Sequence, residues 1–352
     1  MKIAIDCRMS GMSGIGVYFD NILDYFLSDP ANSYLLIGDS FKLKRYEGNP
    51  KCHLIYTETP VFSLKEIYGF PTKEINKCDV FYSPNFNVPF GIKIPIYATI
   101  HDVVFLDVEG LTSKIGKIIR KLLLWRTVQI SKKIFTVSNF SKERIQFHFK
   151  KTPEIVVAYN GINHELKNFK KSEQDPYPFQ YILFIGNIKK HKRLDVLLDA
   201  YHLACDNGFS QKLVIVGDYK NFKTADTEIL DRIDEHDKNV VFTGRISNDQ
   251  LYNTIANASL LVQPSIYEGF GIPPLEALYL GCNVLTSNIP VFREIYKNLP
   301  VTFFEANNVE DLAEKIVLCV LKDSLKPSIK AEIDENYNFD RTAKLIMSMF
   351  KY

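Results

Sequence analysis

Two carboxylates, Glu268 and Glu276, stand eight residues apart around Gly269-Phe270-Gly271 and the pair Pro273-Pro274. Prolines suit the first turn of a helix, so the spacing predicts a helix that begins here and carries Glu276 in its opening turn. Glu268 precedes it in a glycine-rich loop whose backbone N–H groups are open to a ligand. One carboxylate on a loop and one on a helix start can each bind a vicinal diol. A lone glutamate near a helix N-terminus is also a dipole-stabilising cap, worth about 0.3–1 kcal/mol. The paired spacing around Gly-Phe-Gly and Pro-Pro is the more specific pattern.

Three further clusters follow apolar runs that read as strands. After Gly186-Asn-Ile come Lys189, Lys190, His191, Lys192 and Arg193, and then a helical apolar period. Cations at a helix N-terminus oppose the macrodipole. A polyanion shared by the lysines and the free N–H groups resolves that conflict; a solvated charge run is the other reading. Gly11, Gly14 and Gly16 lie between the opening strand and a helix, at a spacing that is not the dinucleotide fingerprint. They suit an anion at the helix start or simply a tight strand–helix turn. Thr99-Ile100-His101-Asp102 ends a buried run. A neutral His with an adjacent Asp can donate to sugar hydroxyls or phosphate; the other reading is a histidine that caps the next segment.

The elements that must position these residues are clearest in the second half. Apolar runs at 181–186, 212–217, 239–244, 258–263, 283–287 and 301–305 alternate with segments of helical spacing, among them Leu194/Leu197/Leu198/Tyr201, Ile229/Ile233 and Leu251/Ile255. Continuous apolar strands between helices indicate a parallel sheet covered on both faces, hence an α/β, doubly wound, Rossmann-like domain. The first half repeats the theme with strands at 2–5, 34–37, 79–82, 95–100, 133–137 and 153–159, and helices at 16–27, 114–131 and 140–149. The expected division is residues 1–166, a polar linker 167–180, residues 181–330, and a C-terminal helical segment 331–352 packing back on the first domain. In that segment Phe339, Leu345, Ile346 and Phe350 form the apolar stripe. Ligands of two such domains bind at the C-terminal ends of the strands.

Length and composition agree. At roughly 100–200 residues per domain, 352 residues favour two domains. Hydrophobic residues at 46% and charged residues at 24% exclude a disordered or fibrous chain. The net charge of +2 excludes an obvious nucleic-acid binder, but it hides an asymmetry: residues 1–170 carry 23 Lys+Arg against 16 Asp+Glu, and the remainder 20 against 25. Six scattered cysteines without a Cys-x-x-Cys pair point to a reducing compartment rather than to zinc or a disulfide framework. Asp6 interrupts the opening run too early for a secretory signal, and no run reaches the ~18 apolar residues of a membrane span. The expected location is the cytoplasm.

With these pieces in order, the chain resembles the family 4 ("group 1") retaining glycosyltransferases of the GT-B fold. The resemblance rests on Gly14-Ile-Gly16-Val-Tyr18, Ile100-His101-Asp102, Thr136-Val-Ser138-Asn-Phe-Ser141, Tyr159-Asn-Gly161-Ile, the Gly186…Lys192 turn and Glu268-x7-Glu276, and it spans nearly the whole chain. It implies two Rossmann-like domains facing across a cleft and a nucleoside diphosphate sugar as donor, with no cofactor and no metal. The acceptor implied is a saccharide or lipid-linked saccharide of cell-surface polysaccharide synthesis, with rhamnose or mannose as the transferred sugar. Lys192 would pair with the donor diphosphate, beside His191 where the family often has arginine. Glu276 would hold the ribose and Glu268 the donor sugar. Amides of Phe270, Gly271 and Ile272 would touch sugar and phosphate, and Gly186, at the head of the Lys192 turn, would be donor-binding as well. Gly14 and Gly16 would approach the diphosphate, Arg245 would line the base and His101 would touch the sugar. The catalytic set is then His101, Lys192 and Glu268. Tyr18, Asp102 and Ser138 are acceptor-side candidates. Retention runs either through a carboxylate nucleophile, for which Glu268 is the sole candidate, or through same-face attack with the leaving phosphate taking the acceptor's proton. A non-catalytic nucleotide-sugar-binding subunit and another GT-B enzyme, such as an epimerase, are the alternatives.

One segment stands apart. From Gly110 to Lys133 there are seven basic residues (Lys114, Lys117, Arg120, Lys121, Arg126, Lys132, Lys133) and no acidic one, while Ile115, Ile118, Leu122 and Trp125 recur at helical spacing. The pattern fits a helix lying peripherally on an anionic membrane, and equally a core-facing stripe with a solvated basic face.

Overall fold

The computed structural model describes residues 1–11, 13–61, 65–217, 238–321 and 328–350. The chain forms two units: Met1–Leu106 with Lys114–Asn163 and Tyr337–Tyr352, and Asp107–Ser113 with His164–Asn336. The strands of the first are β1 (Lys2–Asp6), β2 (Ser33–Gly38), β3 (Cys52–Tyr56), β4 (Val80–Ser83), β5 (Ile96–Thr99), β6 (Ser131–Thr136) and β7 (Glu154–Val157). Those of the second are β8 (Tyr181–Ile185), β9 (Lys212–Val216), β10 (Val240–Gly244), β11 (Leu260–Gln263), β12 (Asn283–Ser287) and β13 (Val301–Phe304). Nine helices of eight residues or more accompany them among the described residues: α1 (Ser13–Ser28), α2 (Lys114–Ile130), α3 (Asn139–His148), α4 (Leu194–Asp206), α5 (Asn248–Asn257), α6 (Ile272–Leu280), α7 (Val309–Val320), α8 (Ser328–Asn336) and α9 (Phe339–Met349).

Both sheets are wholly parallel, in the orders β3-β2-β1-β4-β5-β6-β7 and β10-β9-β8-β11-β12-β13. A strand with helices on both faces has no side to give to water. Accordingly Ile3, Ala4 and Ile5 in β1, and Ile182, Leu183 and Phe184 in β8, are fully buried. Each order turns back once, between β1 and β4 and between β8 and β11. Loops leaving the carboxyl ends of such neighbouring strands diverge to opposite faces and open a crevice, the usual ligand position in this architecture.

Strand β3 was not among the expected elements. It is an edge strand whose residues are half-buried or exposed, so its apolar content is too thin to read as a run. The expected linker is tied to the second unit: Lys171 Nζ donates to the Ala256 carbonyl at 3.0 Å and Asn253 Nδ2 to the Gln174 carbonyl at 3.3 Å. The expected C-terminal helical segment is two helices, α8 in the second unit and α9 in the first. The break comes at Asn338, whose side chain accepts from the Asp340 amide at 2.8 Å and so starts α9 as an N-cap. Ile162 pairs with Asn338 as a parallel bridge, and Gly161 admits this contact, since a Cβ there would lie 2.3 Å from the Phe339 nitrogen. In the first-unit core the Phe350 ring meets Phe26, Tyr82, Tyr97 and Phe135 at centroid separations of 4.9 to 6.5 Å. The helix expected around Ile229 and Ile233 lies outside the described residues.

Candidate active site

In the second unit the loops that follow β8 and β11 carry the basic run and Glu268, on the two strands that flank the turn-back. The chain leaves β8 through Gly186, makes a 3-10 turn over Lys190–Lys192 and enters α4. Arg193, between turn and helix, has φ +50°, a left-handed conformation unfavourable for a side-chain-bearing residue. Its guanidinium is locked by Asp195 (Nε–Oδ1 3.0 Å, Nη2–Oδ2 2.9 Å) and by Asn307. Gly217, just beyond β9, lets the neighbouring turn approach, because a Cβ there would lie 2.1 Å from the Gly186 carbonyl oxygen.

Lys192 Nζ donates to Glu268 Oε1 at 2.5 Å. Ser265 Oγ donates to the same oxygen at 2.7 Å, and Gln263 Nε2 reaches it at 3.5 Å. All three donors fall on Oε1, and Oε2 has no protein partner among the described residues. Burial pushes the Glu268 carboxyl up, but Lys192 above all outweighs it and holds the group below the usual carboxylate range, so it is ionised. The two loops are joined through backbone as well, the Ile266 amide donating to the His191 carbonyl at 2.9 Å. The His191 ring is buried; burial first, and then Lys192, push it down to about 4. At neutral pH it offers no charge to a phosphate. The basic run therefore divides: His191 is neutral and Arg193 is committed to Asp195, while Lys192 faces a carboxylate from the neighbouring strand's loop.

Helix α6 opens at Gly271, with φ +89° and its carbonyl bonded by the Tyr296 hydroxyl; a Cβ on it would meet the Phe292 ring at 2.4 Å. Phe270 is buried beside it, and Ile272, Pro273 and Pro274 form the first turn. Glu276 is the fifth helical residue, one position beyond the opening turn expected for it. It is buried, no described residue donates to it, and burial pushes its carboxyl up to about 8. An uncompensated carboxyl in a helix interior is a cost to the fold and a mark of a site. Arg245 is exposed, one residue beyond β10.

In the first unit the glycine loop has an internal explanation. The Gly11 amide and the Ser10 hydroxyl donate to Asp20 of α1 at 2.9 and 2.6 Å, so a carboxylate of the protein already occupies these donors. A Cβ on Gly16 would lie 2.6 Å from the Met9 carbonyl oxygen, so close helix–loop packing requires this glycine; around Gly14 the space is open. His101 Nε2 is 3.0 Å from the Pro84 carbonyl, which can only accept, so this nitrogen carries the proton and Nδ1 is left as an acceptor. Burial pushes the ring down to about 4, and it is neutral. Tyr18 is 1% exposed, its ring edge-on to His101 at 4.8 Å. The acceptor-side expectation for Tyr18 therefore meets a side chain closed off from solvent. Asp102 Oδ1 accepts from the Val104 amide at 3.0 Å, so the residue that caps the next segment is the aspartate and not His101, for which the sequence had left that role open. Ser138 is fully buried and its hydroxyl accepts from Ser141 as the N-cap of α3, which gives its family motif a structural role.

Residues 150–335 match the family described as glycosyl transferases group 1. The chain belongs to this family. The O-antigen chain mannosyltransferase RfbU of Salmonella typhimurium is 30% identical over 223 residues, which are 60% of this chain and 61% of that protein. O-antigen chain mannosyltransferase B of Escherichia coli is 24% identical over 257 residues, 70% of this chain and 66% of that one. Among solved structures, Anabaena Alr3699/HepE in complex with UDP-glucose superimposes with a TM-score of 0.77 at 15% identity, covering 100% of this chain and 99% of that one. The match is one of fold, the GT-B fold.

For a group 1 glycosyl transferase the geometry adds two residues that the motifs did not single out. Gln263 and Ser265 hold Glu268 Oε1 in place. Their signal in the sequence is a polar residue directly after the apolar Leu260-Leu261-Val262 and a serine three residues before the glutamate. Gly217 is a third, marked only as a glycine ending a strand parallel to the one that ends in Gly186.

Proposed function

We propose that this chain is a retaining glycosyltransferase that moves mannose from a nucleoside diphosphate donor to a saccharide or lipid-linked saccharide acceptor. The observation that carries the reading is the Lys192–Glu268 pair on the loops flanking the second sheet's turn-back, with Glu268 Oε2 left without a partner among the described residues. The O-antigen mannosyltransferases among its relatives support mannose over rhamnose.

The chemistry follows from the groups. Lys192 uses one of its three N–H donors on Glu268 and keeps the others for the leaving diphosphate, a charge-assisted contact that stabilises the negative charge developing as the sugar departs. Lys192 also keeps Glu268 ionised, so Oε2 serves only as an acceptor and suits a donor-sugar hydroxyl. Glu276, in the neighbouring helix, accepts from the ribose. With Glu268 engaged by three donors, same-face attack is the route we favour: the acceptor hydroxyl bonds to the anomeric carbon as the C–O bond to phosphate breaks, and the departing phosphate oxygen takes the hydroxyl's proton. The acceptor goes to the first unit. Six free cysteines fit a reducing compartment, the cytoplasm. The test is a panel of nucleoside diphosphate sugars scored by thermal stabilisation and by slow hydrolysis, with EDTA present. We expect the mannose donor to rank first, unaffected by chelation, and the product anomer to match the donor. No stabilisation by any donor would refute the reading; an inverted product would refute retention.

A further inference from the structure

We infer that α2 is the seat of an anionic lipid surface, which docks the enzyme peripherally on a bilayer. The core takes Leu124, Thr127 and Val128 from this helix. At 100° per residue these three lie on one side. On the opposite side are Ile115, Ile118, Ile119, Leu122 and Trp125, with Ile130 at the end, exposed by 72, 60, 52, 58, 53 and 37%. Of thirteen large apolar residues exposed among the described residues, six are on this one helix. They form a continuous stripe rather than the scattered singles normal on a soluble surface. The core-facing alternative for the stripe is therefore overturned.

The stripe is held rigid and widened. Arg126 donates to the Val88 and Pro89 carbonyls at 2.6 and 3.2 Å, and its guanidinium lies 3.9 Å over the Phe90 ring. Phe90, 40% exposed, thereby sits beside the stripe. Lys114 and Lys121 are exposed along its flank.

Charge decides the occupant. No acidic residue occurs from Gly110 to Lys133 against seven basic ones. A second copy of the same helix would oppose cation to cation, whereas an anionic bilayer accepts both the apolar side chains and the flanking lysines. No described helix is long and apolar enough to cross a membrane, so the contact is one of lying on the surface.

Trp125 is the single tryptophan of the chain and stands in the stripe, so its emission reports directly on burial in lipid. The full chain is titrated with phosphatidylglycerol-containing vesicles and with pure phosphatidylcholine vesicles, following Trp125 emission and co-sedimentation. With anionic vesicles at low salt we expect a blue shift and pelleting, both lost at about 0.5 M salt, where the screening length is about 4 Å. Each basic residue near the surface contributes on the order of a fivefold factor in partitioning. K114E/K121E should therefore lower partitioning at least about 25-fold, without changing nucleotide-sugar hydrolysis in the absence of vesicles. I118S/L122S should abolish the blue shift. An unchanged spectrum with all protein in the supernatant would overturn the inference, as would equal binding to neutral vesicles. So would a vesicle-independent dimer that I118S/L122S dissolves in sedimentation velocity. Donor hydrolysis is measured separately, so failure here leaves the reading of the active site untouched.

Discussion

Replacing Glu276 with glutamine removes a buried ionisation and keeps the shape of the side chain, so its effect on stability must depend on pH in a defined way. The carboxyl ordinarily ionises near 4.5; in the fold, burial raises this to about 8. Below 4.5 the group is protonated folded and unfolded, and contributes nothing. As pH rises through the interval, only the unfolded chain ionises freely, so stability drains away until about pH 8, where the full cost is reached. Linkage between those two values gives a loss of roughly 1 kcal/mol at pH 5.5 and roughly 4–5 kcal/mol at pH 8.5. The glutamine side chain does not titrate and has no such dependence. The Glu276→Gln advantage should therefore grow by roughly 3 kcal/mol over this range, or roughly 6–12 °C in Tm for a domain of this size. Scanning calorimetry of both proteins at several pH values reads it. A difference in Tm that stays constant within about 2 °C from pH 5.5 to 8.5 would show that the carboxyl is not held protonated by burial. The electrostatic account of this helix would then fail.

The remaining predictions concern the same two loops and the start of α6. Lys192→Ala should lower kcat by ~10²-fold or more, since one charge-assisted phosphate contact is removed, and should also lower Tm, since the buried Glu268 loses its cation, with unfolding still cooperative; near wild-type turnover at saturating donor contradicts it. Glu276→Ala should weaken binding of the bare nucleoside diphosphate, which contains the ribose, whereas Glu268→Ala should spare that binding and harm turnover. Titration calorimetry that finds equal losses for both contradicts the division of roles. Gly271→Ala combines a left-handed φ with a Cβ 2.4 Å from the Phe292 ring, whereas Gly281→Ala has φ +85° and open space. The first should cost ~2–5 kcal/mol and the second ~1–2 kcal/mol, and equal costs in urea unfolding would deny the steric term.

What the sequence made legible was set by burial. Every strand of the second sheet was readable, the central ones because a parallel sheet buries both faces and the half-buried edge strand β10 because it keeps Val240, Val241 and Phe242 in an unbroken run. β3 was not, because His53 interrupts its short apolar stretch and its residues are half-buried or exposed. The tail read as one helical stretch since periodicity continues through it; the break depends on Asn338 turning its side chain to a backbone amide, which a period does not report. For α2 the same spacing describes an inward or an outward stripe, and only packing of Leu124, Thr127 and Val128 distinguishes them. In the candidate site, residue types and positions after strands singled out Lys192, Glu268 and Glu276. That Lys192 and Glu268 meet was not readable, because they lie 76 residues apart and are brought together by the adjacency of β8 and β11. The neutrality of His191 follows from burial, which a basic run conceals.

The last helix has a consequence for how the protein is made. Phe339, Ile346 and Phe350 are buried in the first unit, 1, 0 and 3% exposed, yet they leave the ribosome only after the second unit, His164–Asn336, has been synthesised. At ~5–20 residues per second that interval is on the order of 10–35 s. Throughout it the first sheet has all its strands but lacks Phe350 among Phe26, Tyr82, Tyr97 and Phe135, an aromatic vacancy facing the translation milieu. The first unit, begun earlier, thus receives the last part of its core only after the second unit, His164–Asn336, has been made.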